Sequence, residues 1–169
     1  MRVVILLAVA YLPMLVEARR AATNERARLA TGGVEARGDV YGVMRVAYPA
    51  AFLLMIVEDV VSGGPSRAAA IAGLALFVAA KAVKWWAIVS LGSAWTFRVI
   101  TVPGAPLVTR GPYGFLRHPN YVAVVGELAG FALMAGATAT GPIATILFGI
   151  LMLKRIAIEE RALGLIPDP

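Results

Sequence analysis

Residues 121–153 read YVAVVGELAGFALMAGATATGPIATILFGILML and contain a single charged side chain, that of Glu127. One helix of this length would be about 50 Å long, whereas the hydrocarbon core of a bilayer is about 30 Å thick. The segment 136–142 contains two glycines and a proline, which favour a turn. The stretch therefore predicts an all-α fold that includes a tight hairpin of two short membrane helices.

The composition of the whole chain favours the same class of protein. Hydrophobic residues make up 60% and charged residues 15% of the sequence, against about 25% charged residues in typical soluble proteins. Apolar runs at 3–16, 41–57 and 67–91 bring the predicted number of transmembrane helices to about five. We expect a polytopic integral membrane protein with a single domain, whose N-terminal spans lie in 1–100 and whose loop, hairpin and C-terminal helix lie in 101–169.

The distribution of basic residues predicts the orientation in the membrane. Segment 18–42 carries five arginines, segment 92–120 carries three, and three more basic residues follow from Lys154 onward. The opposite side would carry only Arg2 and Arg67. We therefore expect a prokaryotic inner-membrane or plasma-membrane protein with its N-terminus outside and its C-terminus in the cytoplasm.

Some kinds of chemistry are excluded by residue counts. The chain has no cysteine and one histidine, His118, so it has neither disulfides, nor thiolate metal sites, nor a multi-histidine metal site. No GxGxxG motif of a soluble dinucleotide-binding fold is present. We expect neither a metal ion nor a nucleic acid as a partner.

Two polar motifs flank the predicted hairpin. The first is rich in proline and glycine and ends in Arg117-His118-Pro119-Asn120-Tyr121, and the second reads RIAIEERAL at 155–163. Because a hairpin brings its two ends to one side of the membrane, the following residues are expected to converge on a cytoplasm-facing site: Arg117, His118, Tyr121, Arg155, Glu159 and Glu160. The alternatives are anchoring at the membrane edge for the first motif and surface ion pairs for the second.

Charged residues inside the spans need partners. A carboxylate at the depth of Glu127 usually faces the protein interior, and Arg117, Arg155 or a ligand cation is its expected partner; a buried structural ion pair is the alternative. Three basic residues also fall within or beside the spans: Arg45, Lys81 and Lys84. They either extend toward the membrane edge or line the site.

The sequence LVTRGPYGFLRHPNYVAVVGE (107–127), followed by the hairpin and RIAIEERAL, resembles the isoprenylcysteine carboxyl methyltransferase family. The segments 18–49 and 85–106 look like a bacterial subgroup associated with type III polyketide synthases. This resemblance implies a membrane-integral methyltransferase that transfers a methyl group from S-adenosylmethionine to an oxygen, a carboxylate or an enol or phenol, of a lipophilic acceptor. For the subgroup, the implied acceptors are alkylpyrone or alkylresorcinol lipids that arrive from the bilayer.

The resemblance also implies roles for individual residues. The cofactor-binding residues would be Val108, Gly111, Tyr113, His118, Pro119, Tyr121, Glu159 and Glu160. The catalytic residues would be Arg155, Glu160 and Arg117. Three other functions stay open on the sequence: a phospholipid N-methyltransferase with the same cofactor, an NADPH-dependent enzyme resembling sterol reductases, and a membrane scaffold without enzymatic activity.

Overall fold

The computed structural model describes residues 1–167 and is mainly helical within them. Its five α-helices are α1 (Arg2–Ala30), α2 (Tyr41–Ser62), α3 (Arg67–Leu91), α4 (Pro119–Ala135) and α5 (Thr140–Ala162). Two short strands, β1 (Val34–Glu35) and β2 (Ile100–Thr101), pair antiparallel. Short 3-10 turns occur at Gly92–Ala94 and Gly111–Gly114.

Helix α1 is longer than the sequence predicted. Residues 18–30, which were expected to belong to a loop, continue the first helix without interruption past Pro13. The buried positions Glu17, Ala21 and Glu25 recur every four residues, which is the spacing of one helix face. This face packs on Ile88 and Trp95, so tertiary contacts stabilise a segment that its charge made look like a loop.

The hairpin of α4 and α5 is present as predicted. Pro119 is the first residue of α4, where its missing N–H is no loss, and α4 ends at Gly136 with a φ of 66°. Glu58 of α2 accepts hydrogen bonds from the backbone N–H groups of Ala139 (2.9 Å) and Thr140 (2.7 Å). The turn is thus held by a carboxylate at the start of α5, where free N–H groups and the helix dipole favour negative charge.

Helices α3 and α4 lie in close contact through glycines. A side chain at Gly130 would bring its Cβ within 2.6 Å of the backbone nitrogen of Phe77, so only glycine permits this approach. Small residues at such positions are typical of packed membrane helices. The main apolar core lies beside this contact and includes an edge-to-face pair of Phe52 and Phe131, with ring centroids 4.8 Å apart.

The surface of the bundle is apolar. Large side chains such as Val61, Leu147 and Leu153 are exposed over more than half of their area, as expected for residues that face lipid. Two helical segments, Arg67–Ala94 and Thr140–Ala162, are long and apolar enough to cross a membrane, and α4 is apolar but shorter. The helical fold agrees with the sequence, whereas the number of about five spans stays a prediction.

Candidate active site

A cavity of about 670 Å³ lies in one half of the bundle. All five helices contribute to its wall, together with the loop between α3 and α4. It extends to the end where α1, α3 and α5 end and where α2 and α4 begin; we call this the inner end. The predicted motifs 107–121 and 155–163 both reach the inner end, so the hairpin does bring them together.

The C-terminal part of α1 holds the loop that covers the cavity. Asn24 donates hydrogen bonds from Nδ2 to the carbonyl oxygens of Gly92 (3.0 Å) and Trp95 (2.7 Å). The backbone N–H groups of Phe97 and Arg98 each donate to Oε1 of Glu25 at 3.1 Å. The extension of α1 therefore fixes the backbone of the loop against the bundle.

Arg155 is buried at the centre of the inner end and lines the cavity. Its Nε donates to the hydroxyl of Tyr121 at 2.9 Å, and an NH1 hydrogen goes to Oδ1 of Asp39 at 2.7 Å. A third N–H donates to the carbonyl oxygen of Phe97. Because a guanidinium has five N–H donors, these three contacts leave two donors unused.

Tyr121 connects Arg155 to a carboxylate. Its hydroxyl accepts from Arg155 and donates to Oε2 of Glu159 at 2.6 Å. Tyr113 lies on the same cavity wall. Burial, with a further contribution from the charge of Glu159, raises the pKa of Tyr113 above its ordinary value.

His118 and Glu160 form a second pair beside the first. Their Nε2 and Oε1 atoms are 3.1 Å apart, and Arg117 approaches the same oxygen at 3.8 Å. Arg117 is mostly exposed. Glu160 follows Glu159 on α5, and a step of one residue turns a helix by about 100°, so Glu159 faces the cavity while Glu160 faces His118.

The residues predicted for the site fall into two groups. On the cavity wall lie Val108, Tyr113, Arg117, His118, Tyr121, Arg155 and Glu159. Off the wall lie Gly111, Pro119 and Glu160. Gly111 has a φ of 63° and packs on Ser90, Pro119 begins α4, and Glu160 contacts His118, so these three shape the site from behind.

The partner expected for Glu127 was wrong. Arg117 and Arg155 do not contact it; instead Lys81 and Lys84 lie 3.1 and 3.2 Å from its carboxylate, and Tyr48 donates a hydrogen bond to it. The reason is depth, since Glu127 is more than two turns inside α4 and the arginines lie at the inner end. The alternative reading, a buried ion pair, is the observed one.

The structure shows where Arg45, Lys81 and Lys84 lie, which the sequence left open. Lys84 and Arg45 line the cavity. Lys81 and Lys84 point into the bundle and pair with Glu17 and Glu127. Among residues 1–167, no group of three or more His, Asp or Glu side chains is arranged to hold a metal ion.

Asp39, Glu17 and Tyr48 are site residues that the sequence reasoning missed. Asp39 had a readable signal, because an aspartate just before a helix often binds its first N–H groups; here its Oδ1 accepts from the N–H of Tyr41 at 3.0 Å. Glu17 follows the first apolar run directly, so it was taken as the end of a span. Tyr48 gave no signal beyond its place on an apolar helix.

A helical bundle with an apolar surface, and with a cavity that carries charged side chains at its inner end, is typical of a membrane protein with a ligand site. Residues 73–164, more than half of the chain, match the isoprenylcysteine carboxyl methyltransferase family, and the chain belongs to that family. Membership implies a methyltransferase activity. The matched region contains α4, α5 and the loop before them.

Two relatives are similar over most of their length. The chain is 28% identical over 159 residues to the uncharacterized protein YpbQ of Bacillus subtilis (strain 168), which covers 94% of this chain and 95% of that protein. It is 24% identical over 142 residues to an uncharacterized protein of Haemophilus influenzae, which covers 83% of each chain. No solved structure matches the chain.

Proposed function

We propose that this protein transfers a methyl group from S-adenosylmethionine to an oxygen atom of a lipophilic acceptor, at a site that faces the cytoplasm. The observation that carries the proposal is the position of Arg155. Its buried guanidinium lies on the wall of a cavity that also contains Tyr121, Glu159 and the motif around His118. The cation of Arg155 and the carboxylate of Glu159 thus line one cavity together with the motif around His118.

The residues at the inner end fit the proposed cofactor. Glu159 presents a carboxylate to the cavity for the ammonium of the cofactor, and the rings of Tyr113, His118 and Tyr121 suit a sulfonium, since cations rest favourably on aromatic faces. Asn120 also lines the cavity, and its Oδ1 is buried with no hydrogen-bond partner among the described residues. A cavity of about 670 Å³ is within the usual range for small-molecule sites.

The protein's own contribution is to position and to exclude water. When bound, the cofactor supplies an already activated methyl group, so alignment of the two reactants provides most of the catalysis. The loop 94–109 and the C-terminal part of α1 cover the cavity. The contacts of Arg155 to Asp39 and Phe97 fix its guanidinium in one orientation.

The charge of Arg155 favours an oxygen acceptor over an amine. A cation beside the reacting group stabilises a carboxylate or an enolate and lowers the pKa of a hydroxyl. The same cation disfavours a protonated amine. The two free N–H groups of Arg155 can hold such an oxygen, and this is the reason to prefer O-methylation to phospholipid N-methylation.

The deeper part of the cavity is suited to a lipid chain. Its wall there is formed by Met14, Leu15, Met44, Phe148 and Met152. Leu15 lines this part of the cavity and is 57% exposed, which is consistent with an opening toward the surface that would face lipid. An acceptor can therefore place its head at the inner end and its chain toward the bilayer.

The proposal is tested by following a labelled methyl group. Purified protein in lipid nanodiscs is incubated with methyl-labelled S-adenosylmethionine and a total lipid extract of the cells that produce it, and the label in the organic phase is counted. We expect transfer by the wild type and by the exposed-surface control Arg19→Lys, and a loss of at least tenfold in Arg155→Lys. Absence of label from the organic phase, in a protein shown to be folded, would contradict the proposal.

A further inference from the structure

Four charged side chains meet in the bundle, farther from the inner end than the proposed cofactor site. The carboxylate of Glu17 lies 2.8 Å from the ammonium of Lys81 and 2.8 Å from that of Lys84. The carboxylate of Glu127 lies 3.1 and 3.2 Å from the same two ammonium groups. We call these four residues the ion quartet; it joins α1, α3 and α4, and its net charge is zero.

The ion quartet is not symmetric with respect to the cavity. Glu17 and Lys84 line the cavity wall, and so does Tyr48, whereas Lys81 and Glu127 lie behind them. Glu17 and Lys84 are only 1% and 3% exposed. One half of the quartet is therefore part of the cavity wall, although the family motifs at the inner end do not include it.

The side chains of Glu17, Lys84 and Tyr48 have unused hydrogen-bonding capacity. Of the three donors of an ammonium group, Lys84 uses two, toward Glu17 and Glu127. The Tyr48 hydroxyl donates to Glu127 and can still accept. Glu17 accepts from the two lysines and retains free lone pairs.

We propose that Glu17, Lys84 and Tyr48 form a second polar subsite of the cavity, which binds a neutral carbonyl or hydroxyl group of the lipid acceptor. This inference rests on the proposed function. The group must be neutral because the quartet is already balanced, and a further buried charge would lack a partner. The acceptor is thus a lipid with two polar groups. One of them is methylated, and the other is bound by the subsite.

Arg155 at the inner end and the subsite around Lys84 are the two polar parts of the cavity, which we call the poles. Helix α4 gives the distance between them. Tyr121 contacts Arg155 and Glu127 contacts Lys84, and Tyr121 and Glu127 are six positions apart on α4. At 1.5 Å per residue, the poles are about 9 Å apart along the helix axis. The ring of Phe148 lies 5.1 Å from that of Tyr48, and Tyr11 and Met152 line the same cavity. The second polar group would therefore sit on an otherwise hydrophobic part of the acceptor.

The experiment uses a charge-balanced double variant. Glu17→Leu with Lys84→Leu removes the cavity half of the quartet and leaves the pair of Lys81 and Glu127. Replacing a buried ion pair by apolar residues is often neutral for stability, so we expect a folded protein. The matched control, Arg2→Leu with Asp59→Leu, removes an ion pair of 2.5 Å outside the cavity.

The acceptor is first isolated as the labelled product from the lipid extract and identified by mass spectrometry, and an analogue is made with its second polar group replaced by CH2. We expect the wild type and the control to prefer the acceptor over the analogue at least tenfold in kcat/KM. The double variant should show nearly equal kcat/KM for both, with an unchanged Kd for S-adenosylmethionine. Tyr48→Phe, a smaller change that keeps the ring, should reduce the preference severalfold.

Three results would overturn the subsite. Two of them are an acceptor with no second polar group and a wild-type protein that uses acceptor and analogue equally well. An unchanged preference in both the folded double variant and Tyr48→Phe would do the same. A failure of the proposed function looks different, because then the wild type transfers no methyl group to any lipid.

Discussion

Asp39 and Arg155 form an ion pair of 2.7 Å although 116 positions separate them in the sequence. The second oxygen of the same carboxylate, Oδ2, accepts from the backbone N–H of Val99 at 2.7 Å, and Oδ1 also accepts from Tyr41. One side chain therefore joins the start of α2, the covering loop and the arginine of the proposed reaction centre. We expect Asp39 to act through Arg155, as a positioning residue.

The first prediction concerns Asp39→Asn, which removes the counter-ion of Arg155. Breaking a buried ion pair from one side costs about 3–5 kcal/mol, so the unfolding temperature in detergent should fall. Turnover should fall at least tenfold, while the Kd for S-adenosylmethionine changes less. Asp39→Glu, which keeps the charge, should restore part of kcat; equal losses of kcat in the two variants would indicate that the backbone contacts of Asp39 matter and its charge does not.

The second prediction compares Arg155→Lys with the wild type. Lysine keeps the charge but lacks the planar arrangement of donors that contacts Tyr121, Asp39 and Phe97 together. Because these contacts fix the guanidinium that would hold the acceptor oxygen, kcat should fall more than cofactor affinity. Rates measured at saturating S-adenosylmethionine report kcat without the effect of cofactor affinity. A variant that loses only cofactor affinity would place Arg155 in the cofactor site instead.

The third prediction concerns the cofactor half of the cavity. His118→Ala should weaken binding of S-adenosylmethionine tenfold or more, equivalent to at least about 1.4 kcal/mol. Glu160→Gln, which loses the charge that holds His118 in place, should have a smaller effect than Glu159→Gln, which changes the cavity wall itself. Phe115→Ala is the control, because Phe115 is 84% exposed. A larger effect at Glu160 than at Glu159 would contradict this assignment.

The fourth prediction concerns Glu127, which is completely buried. Glu127→Ala leaves Lys81 and Lys84 with one shared carboxylate, and an uncompensated buried charge destabilises a protein by about 3–5 kcal/mol. We expect a marked fall in the unfolding temperature in detergent. Adding Lys81→Met to this variant restores charge balance and should recover much of the loss; no recovery would mean that the packing of Glu127 matters more than its charge.

The fifth prediction concerns orientation. Because the chain has no cysteine, single cysteines can be introduced on an otherwise unlabelled background. Thr31→Cys lies at the inner end after α1, and Ser62→Cys lies at the other end of the bundle, on the last residue of α2. An impermeant thiol reagent added outside intact cells should label Ser62→Cys only, and labelling of Thr31→Cys alone would reverse the orientation.

The sequence allowed the parts of the site that are local or joined by a short turn to be predicted. The glycine and proline turn identified the hairpin, and the hairpin alone required the motifs around His118 and Arg155 to meet. Contacts between distant segments could not be read in this way. Asp39 reaches Arg155 only because α2 and α5 pack together, and the partner of Glu127 depends on the depths of α3 and α4, which periodicity does not give.

The length of α1 was misjudged for a related reason. Charge density in 18–30 favours a loop outside the membrane, and nothing local shows that Glu25 will bind the backbone of Phe97. That contact depends on a second segment 72 positions away. Helix propensity alone would have been a better guide here than the count of charges.

Binding of the cofactor itself tests the account most directly. Purified protein in nanodiscs is titrated calorimetrically with S-adenosylmethionine and, separately, with NADPH, and the same titrations are repeated with His118→Ala. We expect saturable binding of S-adenosylmethionine near one per chain, at least tenfold weaker binding in the variant, and no saturable binding of NADPH. Saturable binding of NADPH in place of S-adenosylmethionine, or binding that is unchanged in His118→Ala, would contradict the account.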